Sequence, residues 1–277
     1  MKNKLRKVLT LVLALVLVGS LGAMLRQQMS YRQGDEDYSA AEEVAGLPKE
    51  TLPLPKPEPP AVSKPEKEPE ESAPAEEPEP DPEAELMAML EGLDLAALQE
   101  INGDVLGWIA IPGTQVNYPI LRGKDNDYYL DHTWKGERSS VGAIFMDYRN
   151  GADFSDDNTL IYGHNMKNRS MFGELKYYVQ EDFWEAHPYI YIVDAAGVRR
   201  CDIYAIYEAE VTAVTYKRTF EDAAAKQKFI NYGARRTVVD TGVVPEADDR
   251  VITLSTCTGA GYATRWVVQA VLPETEA

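Results

Sequence analysis

Arg250 to Leu272 reads RVITLSTCTGAGYATRWVVQAVL, and the rest of the chain is best understood from this stretch. Val251, Ile252 and Leu254 predict one buried strand, and Trp266 to Leu272, with Val267, Val268 and Val271, predicts a second. Gly259 and Gly261 between them suit a hairpin loop. If the strands are neighbours, Cys257 at the end of the first and Arg265 at the start of the second flank one loop, with Cβ atoms about 5 Å apart when opposite. A guanidinium would then sit beside a thiol. The thiolate is the nucleophilic form of cysteine, and nearby positive charge lowers the ordinary thiol pKa of about 8.5. Taken alone, the pair reads more simply as a buried cysteine and a surface arginine, since free cysteine packs as a small hydrophobe.

The chain has 277 residues and a formal net charge of -17, a balance that argues against nucleic acid as a partner. Lys2, Lys4, Arg6 and Lys7 precede a run from Val8 to Leu25 that carries no charge. At 1.5 Å per residue such a helix is roughly 27 Å long, close to the ~30 Å hydrocarbon core of a bilayer. Residues 1–7 are therefore expected in the cytoplasm and 8–25 as a transmembrane signal anchor, with the remainder on the extracellular face of the cell membrane. Ser20 and Gly22 leave cleavage as a signal peptide open.

Residues 26–85 are expected as a juxtamembrane segment and a disordered spacer. Twelve of the seventeen prolines fall between Pro48 and Pro82, and twelve acidic residues face four lysines from Pro48 to Glu85. No core can form from such a composition. An extended proline-rich chain of this length reaches on the order of 100 Å.

The folded part is expected over 86–277. Leu86, Met89, Leu90 and Leu93 repeat at helical spacing, and Asp94 suits the N-cap of a second short helix stopping near Asn102. Trp108 to Ile111, a Pro112-Gly113 turn and Val116 to Leu121 predict a hairpin. Strands are further predicted over 126–130, 142–147, 159–162, 189–194 and 200–211. Thr219 with Asp222 resembles a capping box before a helix whose apolar face is Ala223, Phe229, Ile230 and Ala234. Many short strands and few helices favour a small closed barrel. Cys201 lies in an apolar strand and reads as a core thiol rather than the disulfide partner of Cys257.

The segments INGDVLGWIAIPGTQVNYPI, DNDYYLDHTW, SSVGAIFMDYRN, NTLIYGHNM, TFEDAAAKQKFINY before DTGV, and TLSTC occur in this order. Together they resemble class B sortases, the membrane-bound cysteine transpeptidases of Gram-positive bacteria. The resemblance implies a mostly β fold: an eight-stranded barrel with N-terminal helices and a helix before the last two strands, carried on an N-terminal transmembrane anchor. It implies Cys257 as nucleophile, His164 of YGHN as proton carrier and Arg265 as stabiliser of the oxyanion or the peptide. By position it also implies Asn126, Leu130, Tyr162 and Ser255 as walls of a peptide groove. Thr258 stands where some members carry an acidic residue. The implied partners are surface proteins bearing a C-terminal sorting signal, a peptidoglycan amine as acceptor, and the membrane through the N-terminal helix. No cofactor is expected, and no cluster has metal-ligand spacing. His132 and His187 are expected to be structural or surface residues, and Asp153, Asp156 and Asp157 to form a solvated loop. A pilin polymerase with a lysine acceptor, a hydrolytic cysteine protease and a non-catalytic wall-binding module are the competing readings.

This reading sets the topology. Protease added to intact wall-less cells should remove the domain while the first residues stay protected. Release of native protein lacking residues 1–22 would instead show cleavage of the apolar run.

Overall fold

The strands of the Arg250–Leu272 stretch are neighbours, as the two apolar runs predict. In the computed structural model, which describes residues 2–48, 52–55, 81–259 and 263–274, the sheet comprises β1 (Val105–Ala110), β2 (Asn117–Leu121), β3 (Ile144–Met146), β4 (Asn158–Tyr162), β5 (Tyr189–Asp194), β6 (Gly197–Glu210), β7 (Arg250–Cys257) and β8 (Thr264–Leu272). They close into a barrel in the order β1-β2-β3-β4-β7-β8-β6-β5, and β5 pairs back onto β1. Closure removes the free edges that an open sheet would expose. Two neighbouring pairs, β2 with β3 and β4 with β7, run parallel. Parallel strands cannot be joined by a tight turn, so β2 and β3 are linked by the long segment 122–143, which supplies part of the cleft described below.

The core is filled from all eight strands. Trp108, Ile120, Phe145, Ile161, Ile192, Ile206, Leu254 and Val268 are all buried. Each such aliphatic or aromatic side chain contributes about 1.5–3 kcal/mol of transfer free energy. The helices are α1 (Lys2–Val44), α2 (Pro82–Glu91), α3 (Leu95–Ile101), α4 (Glu181–Ala186) and α5 (Ala223–Ala234). Asp81 caps α2 with Pro82 in its first turn, and Asp94 caps α3 by accepting from the Ala97 N–H. Leu86, Leu90 and Leu98 are buried under this pair. Glu83 of α2 accepts from Arg200 at 2.9 Å and from the Tyr191 hydroxyl at 3.2 Å, which ties the helix to β5 and β6. Cys201 is a buried free thiol of β6, and its burial pushes the thiol far above the ordinary range.

Several expectations are corrected. The segment 126–130 is not a strand: Asp125 accepts from the Asp127 and Tyr128 N–H groups and starts one 3-10 turn over Tyr128–Leu130. The cap of α5 is Asp222, whose side chain accepts from the Ala225 N–H; Thr219 plays no such part. Its buried face is Lys226, Phe229, Ile230 and Gly233, while Ala223 and Ala234 are exposed. Lys226 is tolerated there because it reaches Asp157 at 3.0 Å. The region 175–186, which carried no expectation, forms a 3-10 turn and α4.

The largest correction concerns residues 26–55. Helix α1 does not stop at the end of the apolar run but continues to Val44 as one rod of 43 residues. Its Leu9–Met29 apolar side chains are exposed, and this helix is long and apolar enough to cross a membrane. Its second half packs instead on the barrel: Gly34, Asp37, Tyr38, Ala41 and Ala45, at helical spacing along one face, are buried. The helix ends in a Schellman motif, with the Gly46 N–H on the Glu43 carbonyl, the Leu47 N–H on the Glu42 carbonyl and Gly46 at φ 77°. Leu47 and Leu52 are buried beyond it. The fold therefore begins well before residue 86. The remainder of the expected spacer, residues 49–51 and 56–80, lies outside the described residues.

Candidate active site

The pairing of three strands determines what meets in the cleft. In the β4–β7 ladder Tyr162 lies opposite Ser255, and in the β7–β8 ladder Cys257 lies opposite Arg265. Side chains alternate with period two along a strand. His164, two beyond Tyr162, and Cys257, two beyond Ser255, thus continue two adjacent rows on one side. The Gly163 N–H donates to the Ser255 carbonyl at 3.3 Å, which carries the pairing past the end of β4. Asn165 then donates to the Cys257 carbonyl at 2.6 Å, so the segment bearing His164 is pinned to the strand end bearing the thiol.

A cleft of about 440 Å³ opens here, and Cys257, His164 and Arg265 line it together with Asn126, Leu130, Tyr162 and Ser255. The structure thus brings all seven residues singled out in the sequence to one place. Cys257 is half-buried, unlike Cys201. The His164 Nε2 lies 2.6 Å from the Leu130 carbonyl oxygen. A carbonyl only accepts, so Nε2 is the donor of this bond. Arg265 donates from Nη1 to the Thr264 carbonyl at 2.9 Å, which directs part of the fork at its own strand.

The cleft wall opposite is built on a buried carboxylate. Asp147 accepts from Asn126 Nδ2 and from the Tyr162 hydroxyl, each at 3.0 Å, and from the Arg149 guanidinium at 2.8 and 2.7 Å. Burial works to raise its pKa, but the bonds from Arg149, Asn126 and Tyr162 outweigh it and hold the carboxyl at about 2. Two of the expected wall residues are therefore oriented by a group that no pattern in the sequence marks.

Tyr216 is a further cleft residue, one that the sequence does not single out. It sits on a 3-10 turn after β6, lines the cleft, and shares a hydrogen bond of 3.1 Å with the Ser255 hydroxyl. Burial raises its pKa, the Ser255 bond and the Arg265 charge oppose this, and Cys257 adds to it. Its turn is held by Asn158, whose Nδ2 donates to the Thr215 and Lys217 carbonyls. A lone tyrosine between a strand and a helix gives no local signal of this placement.

The other histidines lie elsewhere. His132 stacks on Tyr128 with ring centroids 4.0 Å apart and sits 2.7 Å from Asp131. His187 is half-buried, has its Nδ1 against the Pro112 carbonyl at 2.9 Å, and has its pKa lowered by burial. The acidic loop is more ordered than expected: Asp156 accepts from Asn150 and the Gly151 N–H, and Asp157 pairs with Lys226, while Asp153 is exposed. Among the described residues no three His, Cys, Asp or Glu side chains converge as metal ligands do.

Comparison with known proteins adds the following. A sequence profile described as the Sortase domain matches residues 109–273. Sortase B of Listeria monocytogenes is 40% identical over 164 residues, covering 59% of this chain and 67% of that one. A Staphylococcus aureus sortase B–substrate complex superposes with a TM-score of 0.63 at 32% identity, covering 66% of this chain and 85% of that one. A sortase B complexed with triglycine superposes with a TM-score of 0.61 at 34% identity, covering 65% and 86%.

The Asp147 cluster makes a prediction about acid stability. Because its folded pKa lies below the ordinary carboxyl value of 3.8, its contribution is fully present above about pH 4 and is lost as pH falls through about 2. The shift corresponds to stability on the order of 2 kcal/mol. Chemical denaturation between pH 2 and pH 5 should show this acid-sensitive component in the wild type and lose it in Asp147→Asn. An unchanged pH dependence in the variant would contradict the assignment.

Proposed function

Because the chain belongs to the sortase family, whose members are cysteine transpeptidases, and its relatives are of class B, we propose that it is a membrane-anchored enzyme that joins surface proteins to a cell-wall amine through a Cys257 thioester. The observation that carries this reading is the register that sets Cys257 opposite Arg265 beside the row that ends in His164.

In this reading the Cys257 thiolate attacks a backbone carbonyl within the sorting signal. A C–S bond forms and the C–N bond breaks, while His164 gives a proton to the departing amine. The acceptor amine then attacks the thioester, the C–S bond breaks as the new amide forms, His164 takes the amine's proton, and the Cys257 thiolate is regenerated. Arg265 stabilises the oxyanion of each tetrahedral intermediate by hydrogen bonding. Asn126, Leu130, Tyr162 and Ser255 hold the peptide, polar groups along its backbone and apolar groups against its side chains. The solved relatives bound to a substrate and to triglycine support a peptide donor and an amine acceptor. Helix α1, with its exposed apolar half, supports a single-pass anchor, and Lys2, Lys4, Arg6 and Lys7 before it support a catalytic domain on the outside. The composition of residues 56–80 supports a spacer role. Incubating the protein with a sorting-signal peptide and triglycine, against the same peptide with a pilin carrying an acceptor lysine, tests the choice of acceptor. An amide product with triglycine supports wall anchoring; product only with the lysine acceptor, or only hydrolysis, contradicts it.

The role of Arg265 is tested by charge-conserving substitution. A planar guanidinium offers two parallel donors, whereas lysine offers the same charge as a point. Arg265→Lys should lower kcat/KM by about 10² to 10³, as removal of an oxyanion donor does. Near wild-type kcat/KM in the lysine variant would exclude the hydrogen-bonding role, and near wild-type values in Arg265→Ala would remove Arg265 from the site.

A further inference from the structure

Helix α1 touches the surroundings of His164 more closely than an anchor requires. The Tyr38 hydroxyl is buried and donates to the Gly142 carbonyl at 2.6 Å. Gly142, at φ 65°, is packed so tightly that a Cβ there would lie 2.9 Å from Cδ2 of the His164 ring and 2.8 Å from the carbonyl oxygens of Leu130 and Tyr129. The Leu130 carbonyl is the one that accepts from His164 Nε2. The residue held by Tyr38 thus packs against the Cδ2 side of the imidazole and against the carbonyl that accepts from it. The Ala143 N–H on the Tyr129 carbonyl, at 2.9 Å, fastens the same loop from its other side.

The Tyr38 ring reaches the site by a second route. It packs edge-on to Tyr118 with centroids 5.0 Å apart, and the Tyr118 hydroxyl accepts from the Met171 N–H at 3.1 Å. Met171 is held at φ 54°, a conformation that non-glycine residues seldom adopt. The next residue, Phe172, donates its N–H to the carbonyl of His164 itself at 3.0 Å. One side chain of α1 therefore braces the segments before and after the histidine.

The helix is itself fixed. Trp134 Nε1 donates to the Asp37 carbonyl at 2.7 Å, Asn117 Nδ2 donates to Glu42 at 2.8 Å, and the Ser30 and Ser140 hydroxyls lie 2.7 Å apart. Gly34 permits the close approach to Val141, where a Cβ would come within 2.7 Å. Tyr38 lies thirteen residues beyond Leu25 on the same helix, about 20 Å along its axis.

We propose that Tyr38 is a positioning residue for the His164 imidazole, so that the helix leaving the membrane is a working part of the active site. This rests on His164 being the proton carrier in the reading above. The hydroxyl of Tyr38 makes no contact with the cleft; it acts by holding Gly142 in the plane that sets the Nε2–H on the Leu130 carbonyl. Loss of that hold lets the ring sample orientations that are unproductive for proton transfer, and small misplacements of a catalytic group cost rate rather than binding.

The test uses the full chain in detergent micelles, the best-cleaved member of an internally quenched peptide library, and triglycine as acceptor. Tyr38→Phe keeps the ring against Tyr118 and removes only the hydroxyl. It should lower kcat about tenfold with KM within twofold, and the imidazole Cε1–H resonance of His164, one sharp line in the wild type, should broaden or double. If Tyr38→Phe does not fold, Trp134→Phe, which releases the Asp37 carbonyl, carries the same expectation. Wild-type kcat with an unchanged His164 line overturns the proposal, as does a change in KM alone. His164→Ala is measured in parallel: its inactivity beside an unaffected Tyr38→Phe overturns this inference only, whereas retained turnover in His164→Ala overturns the proton-carrier reading and this inference with it.

Discussion

Parallel pairing of β4 with β7 is the constraint on which the site depends. It aligns the Tyr162 row with the Ser255 row, and only with that alignment do His164 and Cys257 emerge side by side. A slip of one residue would turn every side chain of a strand to the opposite face. A buried polar spine resists such a slip: Thr253 donates to Asn158 at 2.7 Å, Gln269 donates to Thr253 at 3.0 Å, and the hydroxyls of Tyr204 and Tyr207 donate to Gln269. Unpairing these groups, which lie between the sheet and α5, would leave several buried polar atoms without partners, which is costly at low local dielectric. The same Asn158 also holds the turn of Tyr216, so the register and one wall of the cleft share a single side chain.

The two halves of α1 obey different physics. The first is apolar all round and has no barrel to pack on, which suits a hydrocarbon environment. The second is polar by composition and nevertheless packs closely, because Gly34, Ala41 and Ala45 let its backbone approach the barrel while Tyr38 and Asp37 supply specific bonds. Its attachment rests on close approach and hydrogen bonding more than on apolar area. A helix continuous across both halves fixes the direction of its apolar half relative to the barrel, which a wholly flexible linker would not.

How much of this is legible in the sequence follows from the range of the signals. The final hairpin is legible because β-branched runs, two glycines and the two-residue period are local features, and the cross-strand pairing of Cys257 with Arg265 follows from them. The barrel class is legible from the count and shortness of the strands. The meeting of His164 with Cys257 is reached only through resemblance, since a parallel pair separated by the whole of β5 and β6 leaves no local trace. Asp147 and Tyr216 escape for the same reason: what matters about each is a contact with another strand. The second half of α1 escapes because its buried stripe is made of Gly, Asp, Tyr and Ala, which no hydrophobic periodicity detects. The turn over Tyr128–Leu130 reads as a strand because its aromatic residues have high strand propensity, whereas the Asp125 side chain bends the backbone.

The most direct measurement is intact-mass and peptide mapping of the full chain quenched in acid during turnover of a sorting-signal peptide. An adduct equal in mass to the acyl part of the peptide, located on Cys257, labile to hydroxylamine and discharged by triglycine, is the predicted result. Continued turnover with no adduct on Cys257, or with the adduct on Cys201, would contradict a thioester mechanism at the β7–β8 junction.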